Sequence, residues 1–150
     1  MKDAAPHTFN EQISWLKFQD MFSFDWKSNE KPVLWLFHKS WCSACKNLAA
    51  EFSDPVKSKG VLELSKKFVM VNVPDDDASE EYQRAFSPDG SYVPRIIFAD
   101  PTSTIVNITN TLGNNKYKHF FSATYQVERA MKEALERLKP AKSRVSSMEL

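Results

Sequence analysis

The chain has 150 residues, 42% of them apolar and 26% charged, which is typical of one globular domain with its own hydrophobic core. Its 20 basic and 19 acidic residues nearly cancel, so charge gives no reason to expect a nucleic acid or an anionic membrane as a partner. The longest apolar run, Val33 to Phe37, is too short to cross a bilayer. We therefore expect a single-domain monomer with no nucleic-acid or membrane partner.

The first part of the chain predicts a loose arm followed by a strand, a helix and a second strand. Residues 1–12 are expected to form a flexible N-terminal arm, and Ile13 to Leu16 a short edge strand. Apolar side chains near helical spacing predict a helix over residues 18–29. Residues 33–38 are apolar at consecutive positions, which is typical of a strand buried on both faces.

The next elements continue this alternation. A helix is predicted to begin within the cysteine pair, Cys42 and Cys45, and to be kinked or restarted at Asp54-Pro55. Residues 68–73 predict a second buried strand, and residues 82–86 a helical turn. Strands that alternate with helices indicate a parallel arrangement, because parallel neighbours need crossover connections.

The second part of the chain predicts a β-hairpin closed by a helix. Its strands are predicted at residues 95–100 and 105–109, and the helix at residues 122–139, where apolar positions recur with helical period. Residues 140–150 are expected to form a flexible tail. The predicted fold class is therefore α/β. A domain of residues 13–139 would contain a mixed sheet, parallel in its first half and antiparallel in its C-terminal hairpin, with helices on both faces.

The two cysteines are separated by the small residues Ser43 and Ala44 at a strand-to-helix junction. Unpaired backbone N–H groups and the positive end of the helix dipole meet at such a junction and stabilise a thiolate, which is the reactive form of cysteine. Cys42 is therefore expected to attack a disulfide. Cys45, about one turn later, is expected to resolve the mixed disulfide.

Three other interpretations of the pair remain open. A structural zinc ion needs about four ligands, whereas the sequence offers two cysteines and three scattered histidines, so we predict no metal and no cofactor. A passive disulfide is possible, but so short a loop would restrain the unfolded chain little. Two inert buried thiols are less consistent with a junction that exposes the first sulfur.

The Val93-Pro94 pair opens the third predicted strand after a turn-rich segment. A proline at the start of a strand forfeits one ladder hydrogen bond. A cis peptide bond would turn the chain sharply into the sheet, whereas the trans form is the commoner one for X–Pro bonds in general. The residues alone leave both forms open.

The sequence Trp41-Cys42-Ser43-Ala44-Cys45-Lys46 after a buried strand, with Val93-Pro94 before a later hairpin, resembles the thioredoxin fold. The segments HKSWCSACK, FVMVNV, FSPDGSYVPRIIFADP and MKEALERL resemble more closely the small thioredoxin-like proteins of the endoplasmic reticulum. That group includes thioredoxin domain-containing protein twelve and the anterior-gradient proteins. The most specific segment is SPDG-Y-PR, which generic thioredoxins do not carry.

The resemblance implies that Cys42 is the attacking thiolate, that Cys45 is the buried resolving thiol, and that Pro94 is a cis-proline packed against the pair. It also implies that the backbone of Val93 pairs with an extended client segment, with Trp41 beside it. The implied activity is that of an enzyme, a thiol–disulfide oxidoreductase acting on client proteins with glutathione as redox partner. The alternative is a chaperone-like client-binding module with little redox turnover.

The sequence departs from thioredoxins at Leu36, where that family carries a buried carboxylate that helps to move the proton of the second cysteine. The Ser-Ala dipeptide also differs from those of known reductases and isomerases, so the redox direction is not predicted. His38 or Lys39 could influence Cys42 electrostatically. The acidic run Asp75 to Asp77 is expected to form a solvated loop, because it lacks the spacing and the glycine of a calcium loop.

Two further motifs concern location and modification. The last four residues, Ser147 to Leu150, resemble an endoplasmic-reticulum retrieval signal in which Met148 replaces aspartate. We therefore expect the lumen of the endoplasmic reticulum as the location, with the chain as the mature form lacking a signal peptide. Asn107-Ile108-Thr109 is a glycosylation sequon, but it falls within a predicted strand, which argues against its use.

Overall fold

The computed structural model describes residues 8–75 and 77–138. Five strands within these residues form one sheet, in the order β1-β3-β2-β4-β5. The strands are β1 Trp15–Lys17, β2 Val33–His38, β3 Val69–Pro74, β4 Arg95–Ala99 and β5 Ile105–Val106. Strands β1 and β2 run parallel to β3, whereas β4 is antiparallel to β2 and β5 is antiparallel to β4. The predicted mixed sheet with a C-terminal hairpin is confirmed.

Helices cover both faces of this sheet, as predicted. They are a 3₁₀ helix at Phe18–Phe22 and the α-helices α1 Ser43–Ser53, α2 Lys59–Ser65, α3 Glu80–Ala85 and α4 Thr124–Arg137. Apolar side chains of α1, α2 and α4 pack on one face, and those of the 3₁₀ helix and α3 pack on the other. Among the described residues, no helix has the length and apolar character needed to span a membrane.

Strand β2 is the centre of the fold, and all six of its residues are buried. Leu34 and Leu36 face the layer of α1, α2 and α4, whereas Trp35 and Phe37 face the other layer. Because both faces are covered, the strand is apolar at nearly every position instead of alternating with polar residues. Each large side chain buried in this way contributes about 1.5–3 kcal/mol to the stability of the fold. The strand therefore holds its C-terminal end, where the cysteine pair follows, firmly in place.

The helix predicted over residues 18–29 is much shorter in the structure, where only Phe18–Phe22 is helical. Polar side chains beyond it bond to the local backbone instead. The hydroxyl of Ser23 donates to the carbonyl of Asp20 at 3.2 Å, and the carboxylate of Asp25 accepts from the N–H of Ser28 at 3.3 Å. Such bonds compete with helical hydrogen bonds, which explains why apolar spacing alone predicts a longer helix than the structure has.

The strand predicted at residues 105–109 ends at Val106. The N–H of Ile108 donates to the carbonyl of Val106 at 3.0 Å, which turns the chain away from β4. The place beside the start of β4 is taken by another segment. There the N–H of Ile96 donates to the carbonyl of His119 at 3.0 Å. The hairpin is therefore correct, but its second strand is shorter than predicted.

The predicted domain boundary at residue 13 is also corrected, because part of the expected arm belongs to the core. Phe9 is buried, and the centre of its ring lies 4.7 Å from that of His38 and 5.4 Å from that of Phe52. The indole N–H of Trp15 donates to the carbonyl of Phe9 at 2.8 Å. The rest of the predicted arm, residues 1–7, and the predicted tail, residues 140–150, lie outside the described residues.

Candidate dithiol site

The dithiol turn, residues 38–46, connects the end of β2 to the start of α1. Cys42 is the N-cap residue of that helix, and its sulfur accepts a hydrogen bond from the N–H of Cys45, with an N···S distance of 3.0 Å. The sulfur thus takes the place of the side-chain oxygen that usually caps a helix. The positive end of the helix dipole lies at the same position.

Both cysteines are buried, Cys45 completely, and burial suppresses the ionisation of Cys45. The structure contains both cysteines as free thiols, and 8% of Cys42 is exposed whereas Cys45 is fully buried. Burial raises the pKa of Cys45 to about 12, and its hydrogen bond with Cys42 adds to this, although a hydrogen bond from the backbone of Lys39 acts in the opposite direction. Cys45 therefore remains a neutral thiol at physiological pH.

No carboxylate lies on β2 beside the pair, because Leu36 is fully buried there within the apolar core. The negative charge that acts on the pair belongs instead to Asp75, which directly follows β3. Its carboxylate accepts from the N–H of Ser40 at 2.8 Å and from the Ser40 hydroxyl at 3.0 Å, while its own N–H donates to the carbonyl of His38 at 2.7 Å. After burial and the effect of Cys42, the charge of Asp75 also helps to raise the pKa of Cys45. The expectation of a merely solvated acidic loop is therefore wrong for Asp75.

The proline loop, residues 86–95, approaches the dithiol turn from the other side. Its Val93–Pro94 peptide bond is cis, and Pro94 is buried. The sulfur of Cys42 lies 3.7 Å from the carbonyl oxygen of Val93, within reach of a weak S–H···O hydrogen bond. The structure thus brings Cys42 and Val93 together. It leaves Trp41, the residue before Cys42, 76% exposed on the surface.

Arg95, the first residue of β4, is fully buried and ties the proline loop to its surroundings. Its Nε donates to the carbonyl of Phe86 at 2.8 Å, Nη1 to the carbonyl of Tyr92 at 2.9 Å, and Nη2 to Oε1 of Gln83 at 3.2 Å. The guanidinium also lies 4.3 Å from the centre of the Phe37 ring, a cation–π contact. Burial lowers the pKa of Arg95 to about 10, so the side chain stays charged at neutral pH.

A second set of contacts fixes the same loop from outside the sheet. The hydroxyl of Tyr92 donates to Asp89 at 2.5 Å and accepts from the N–H of His119 at 2.9 Å, while the N–H of Lys118 donates to Asp89 at 2.8 Å. Burial raises the pKa of Tyr92, and the hydrogen bond to Asp89 adds to this. Burial alone would raise the pKa of Asp89, but the hydrogen bonds from Tyr92 and Lys118 lower it below its usual value.

Sequence reasoning missed the supporting residues of the site. The sequence predicts a solvated run for Asp75, and it marks the SPDG-Y-PR segment as specific without indicating its physical role. One signal was available for Arg95, because a charged residue at the start of the apolar run IIFA needs buried hydrogen-bond partners. Among the described residues, no three potential metal ligands cluster.

Comparison with known proteins agrees with this geometry. A family model described as Thioredoxin-like matches residues 15–101, more than half of the sequence, so the chain belongs to the thioredoxin-like family. Anterior gradient protein 3 of Xenopus tropicalis is 30% identical over 120 residues, which cover 77% of this chain and 70% of that protein. The Anterior gradient protein 2 homologs of Mus musculus and Homo sapiens are 30% identical over 132 residues, covering 87% of this chain and 71% of theirs. These relatives place the chain in the anterior-gradient group of the family.

A weaker likeness exists to a solved structure, the disulphide isomerase from Xylella fastidiosa Temecula1. It has 20% sequence identity and a TM-score of 0.41, and the match covers 52% of this chain and 60% of that chain.

Proposed function

We propose that this protein is a thiol–disulfide oxidoreductase that acts on the disulfides of client proteins, with glutathione as its redox partner, in the lumen of the endoplasmic reticulum. The observation that carries the proposal is the asymmetry of the cysteine pair. The sulfur of Cys42 caps a helix and lies 3.7 Å from the carbonyl oxygen of Val93, whereas Cys45 is fully buried one turn later. An attacking thiolate and a resolving thiol require this difference.

In the first step, the Cys42 thiolate attacks one sulfur of a client disulfide. A bond forms between Cys42 and that sulfur, the client S–S bond breaks, and the second client sulfur leaves as a thiolate that takes a proton from water. The N–H of Cys45, 3.0 Å from the Cys42 sulfur, stabilises the anion before the attack. The product is a mixed disulfide between Cys42 and the client.

In the second step, Cys45 loses its proton and attacks the Cys42 sulfur, which releases the client as a dithiol. Two glutathione thiols then reduce the Cys42–Cys45 disulfide and leave as glutathione disulfide. This step requires the deprotonation of Cys45. That deprotonation is unfavourable because burial raises the pKa of Cys45 to about 12 and because Leu36 offers no proton acceptor. Resolution is therefore slow in this proposal, and mixed disulfides with clients persist.

Client segments would dock on the proline loop. An extended peptide can pair with the exposed backbone of a neighbouring segment in the manner of an added strand, and Val93 carries the carbonyl that faces Cys42. The indole of Trp41, the residue before Cys42, is exposed and offers an apolar surface next to the reactive residue. Pro94 has no N–H group, so the backbone hydrogen bonds to the client must be made by Val93.

The test is a turnover assay of insulin reduction with glutathione and glutathione reductase, using the wild type, Cys42→Ser and Cys45→Ser. Cys42→Ser should fall to the background rate, since no other thiol of the chain can attack. Ser28→Ala is the control, because Ser28 is an exposed residue outside the dithiol turn and the proline loop, and it should keep the wild-type rate. Wild-type turnover in Cys42→Ser would refute the proposal.

The direction of the reaction needs the reduction potential of the Cys42–Cys45 pair, measured in glutathione buffers. A potential of about −270 mV would indicate a reductase, whereas a potential of about −180 mV would indicate an oxidase or isomerase.

The alternative function is a client-binding module with little redox turnover, and the exposed Trp41 next to Cys42 favours it. The same protein preparations separate the two functions. Binding of an unfolded client that is unaffected by Cys42→Ser, together with background insulin reduction by the wild type, would establish the binding module. Client capture that depends on Cys42 would establish the oxidoreductase.

A further inference from the structure

We propose that Asn107 is a site of N-linked glycosylation, which gives the protein one oligosaccharide on the outer edge of its sheet. The inference starts from the sequence Asn107-Ile108-Thr109, which has the amide, the non-proline central residue and the hydroxyl that the reaction needs. It rests on the location in the endoplasmic reticulum proposed above, where the oligosaccharide donor is found.

The structure removes the objection that the sequon lies within a strand. Strand β5 ends at Val106, one residue before the sequon. The hydrogen bond from the N–H of Ile108 to the carbonyl of Val106, at 3.0 Å, closes a three-residue turn with Asn107 at its centre. Asn107 is exposed at this turn. A tight surface turn presents its central side chain to solvent, so a bulky group attached there needs no change in the fold.

The rest of the sequon is anchored so that Asn107 faces outward. Ile108 is fully buried in the core shared with α4. Two arginines of α4 hold the backbone on either side of it. Nη1 of Arg137 donates to the carbonyl of Asn107 at 3.0 Å, and Nη2 of Arg129 donates to the carbonyl of Thr109 at 2.8 Å. These bonds use backbone oxygens and leave the side-chain amide of Asn107 to solvent.

The modification is a transfer from a lipid-linked oligosaccharide pyrophosphate. The amide nitrogen of Asn107 forms a bond to the anomeric carbon of the first N-acetylglucosamine. The bond between that carbon and the pyrophosphate oxygen breaks, the lipid pyrophosphate leaves, and the amide nitrogen gives up one proton. No electrons are exchanged, so the step is independent of the dithiol.

The position has consequences for the fold and for the dithiol. Strand β5 is an edge strand, and β4 separates it from β2, which leads into the dithiol turn. An oligosaccharide at Asn107 would shield this edge from pairing with other chains, a protection that exposed edges need. It should leave the reaction at Cys42 unchanged.

The experiment translates the full chain, placed behind a cleavable secretory leader, in the presence of endoplasmic-reticulum microsomes. The wild type should be protected from added protease and should migrate more slowly on a gel, with the shift removed by endoglycosidase H. Asn107→Gln and Thr109→Ala should abolish the shift, whereas Thr109→Ser should keep it. Asn115→Gln, which changes another exposed asparagine outside any sequon, is the matched control and should shift like the wild type.

A wild-type chain that is protease-protected but unshifted would overturn the proposal, because it would have met the transferase without being modified. A shift that persists in Asn107→Gln would overturn it equally. Insulin reduction by the unglycosylated protein tests the proposed function separately. Loss of turnover there would contradict the oxidoreductase and leave glycosylation standing, since the two readouts share no step.

Discussion

The dithiol turn and the proline loop meet at the sulfur of Cys42, but different kinds of contact hold them in place. In the dithiol turn, the bond from the N–H of Cys45 to the Cys42 sulfur joins residues three apart in the sequence. In the proline loop, the bond from Lys118 to Asp89 joins residues 29 apart, and the bond from His119 to Tyr92 residues 27 apart. The cap on the reactive sulfur is thus encoded locally, although the N–H of Ser40 in the same turn donates to Asp75, 35 residues away. The proline loop that faces this sulfur is positioned in part by residues 27 and 29 positions away.

The largest effect is expected for Arg95→Met, which removes the buried cation of the proline loop. The carbonyls of Phe86 and Tyr92 would lose their donor within the core, so the free energy of unfolding should fall by about 2–4 kcal/mol. Urea denaturation followed by circular dichroism measures this. The matched control is Arg84→Met, at an exposed arginine nearby, which should stay within about 0.5 kcal/mol of the wild type. Equal stability of the two variants would show that Arg95 does not hold the loop.

A smaller effect is expected for Tyr92→Phe, which breaks the link between Asp89 and His119. The loss of one hydroxyl with two hydrogen bonds should cost about 1–2 kcal/mol of unfolding free energy. Because the loop carries Val93, KM for an insulin-like client should also rise while the rate with a small disulfide stays unchanged. Tyr117→Phe is the comparison, since Tyr117 is 40% exposed and packs edge-on against Tyr92. A client KM equal in both variants would contradict the positioning role.

In the dithiol turn, Cys45→Ala should change how stability depends on pH. The unfolded thiol titrates near 9.0, whereas burial holds the pKa of the folded one at about 12, so between these values the folded state binds more protons. The wild type should therefore lose stability as pH rises from 9 toward 12, and the variant should lack this part of the loss. At pH 7 the variant should be about 1 kcal/mol less stable because it loses a buried sulfur. Unfolding titrations of both reduced proteins, from pH 7 to the alkaline limit of folding, measure the difference. A difference that stays constant across this range would contradict the raised pKa.

The smallest effect on stability is expected for Trp41→Ala, because the side chain is 76% exposed. The free energy of unfolding should change by less than about 0.5 kcal/mol. KM for a protein client should rise, since the indole borders the docking surface, while the reaction with glutathione disulfide should keep its rate. Unchanged KM for every client tested would remove Trp41 from the proposed binding surface.

What the sequence predicted follows the same division between local and distant contacts. Strands β2 and β3, the start of α1 and the roles proposed for Cys42 and Cys45 could be derived from short segments, because burial and helix capping leave local patterns. The network around Arg95 does not follow this division, because its partners lie only 3 to 12 residues away, yet no local sequence pattern specifies them. Asp75 was missed because its carboxylate acts on Ser40, which lies 35 residues earlier.

The errors also have local physical causes. The helix predicted over residues 18–29 failed because hydrogen bonds from the side chain of Ser23 and to that of Asp25 compete with helical ones. The end of β5 could not be predicted because the segment containing His119 occupies the sheet position that a longer strand would need. In both segments the apolar pattern alone did not determine the backbone geometry.

The central claim is that Cys42 attacks clients and Cys45 resolves the mixed disulfide, and partner trapping tests it most directly. Cys45→Ser and Cys42→Ser proteins are incubated with an unfolded, disulfide-containing client, and the covalent complexes are mapped by mass spectrometry. Cys45→Ser should accumulate complexes in which the client sulfur is bonded to Cys42, and Cys42→Ser should accumulate none. Complexes bonded to Cys45, or equal amounts from the two variants, would contradict the account.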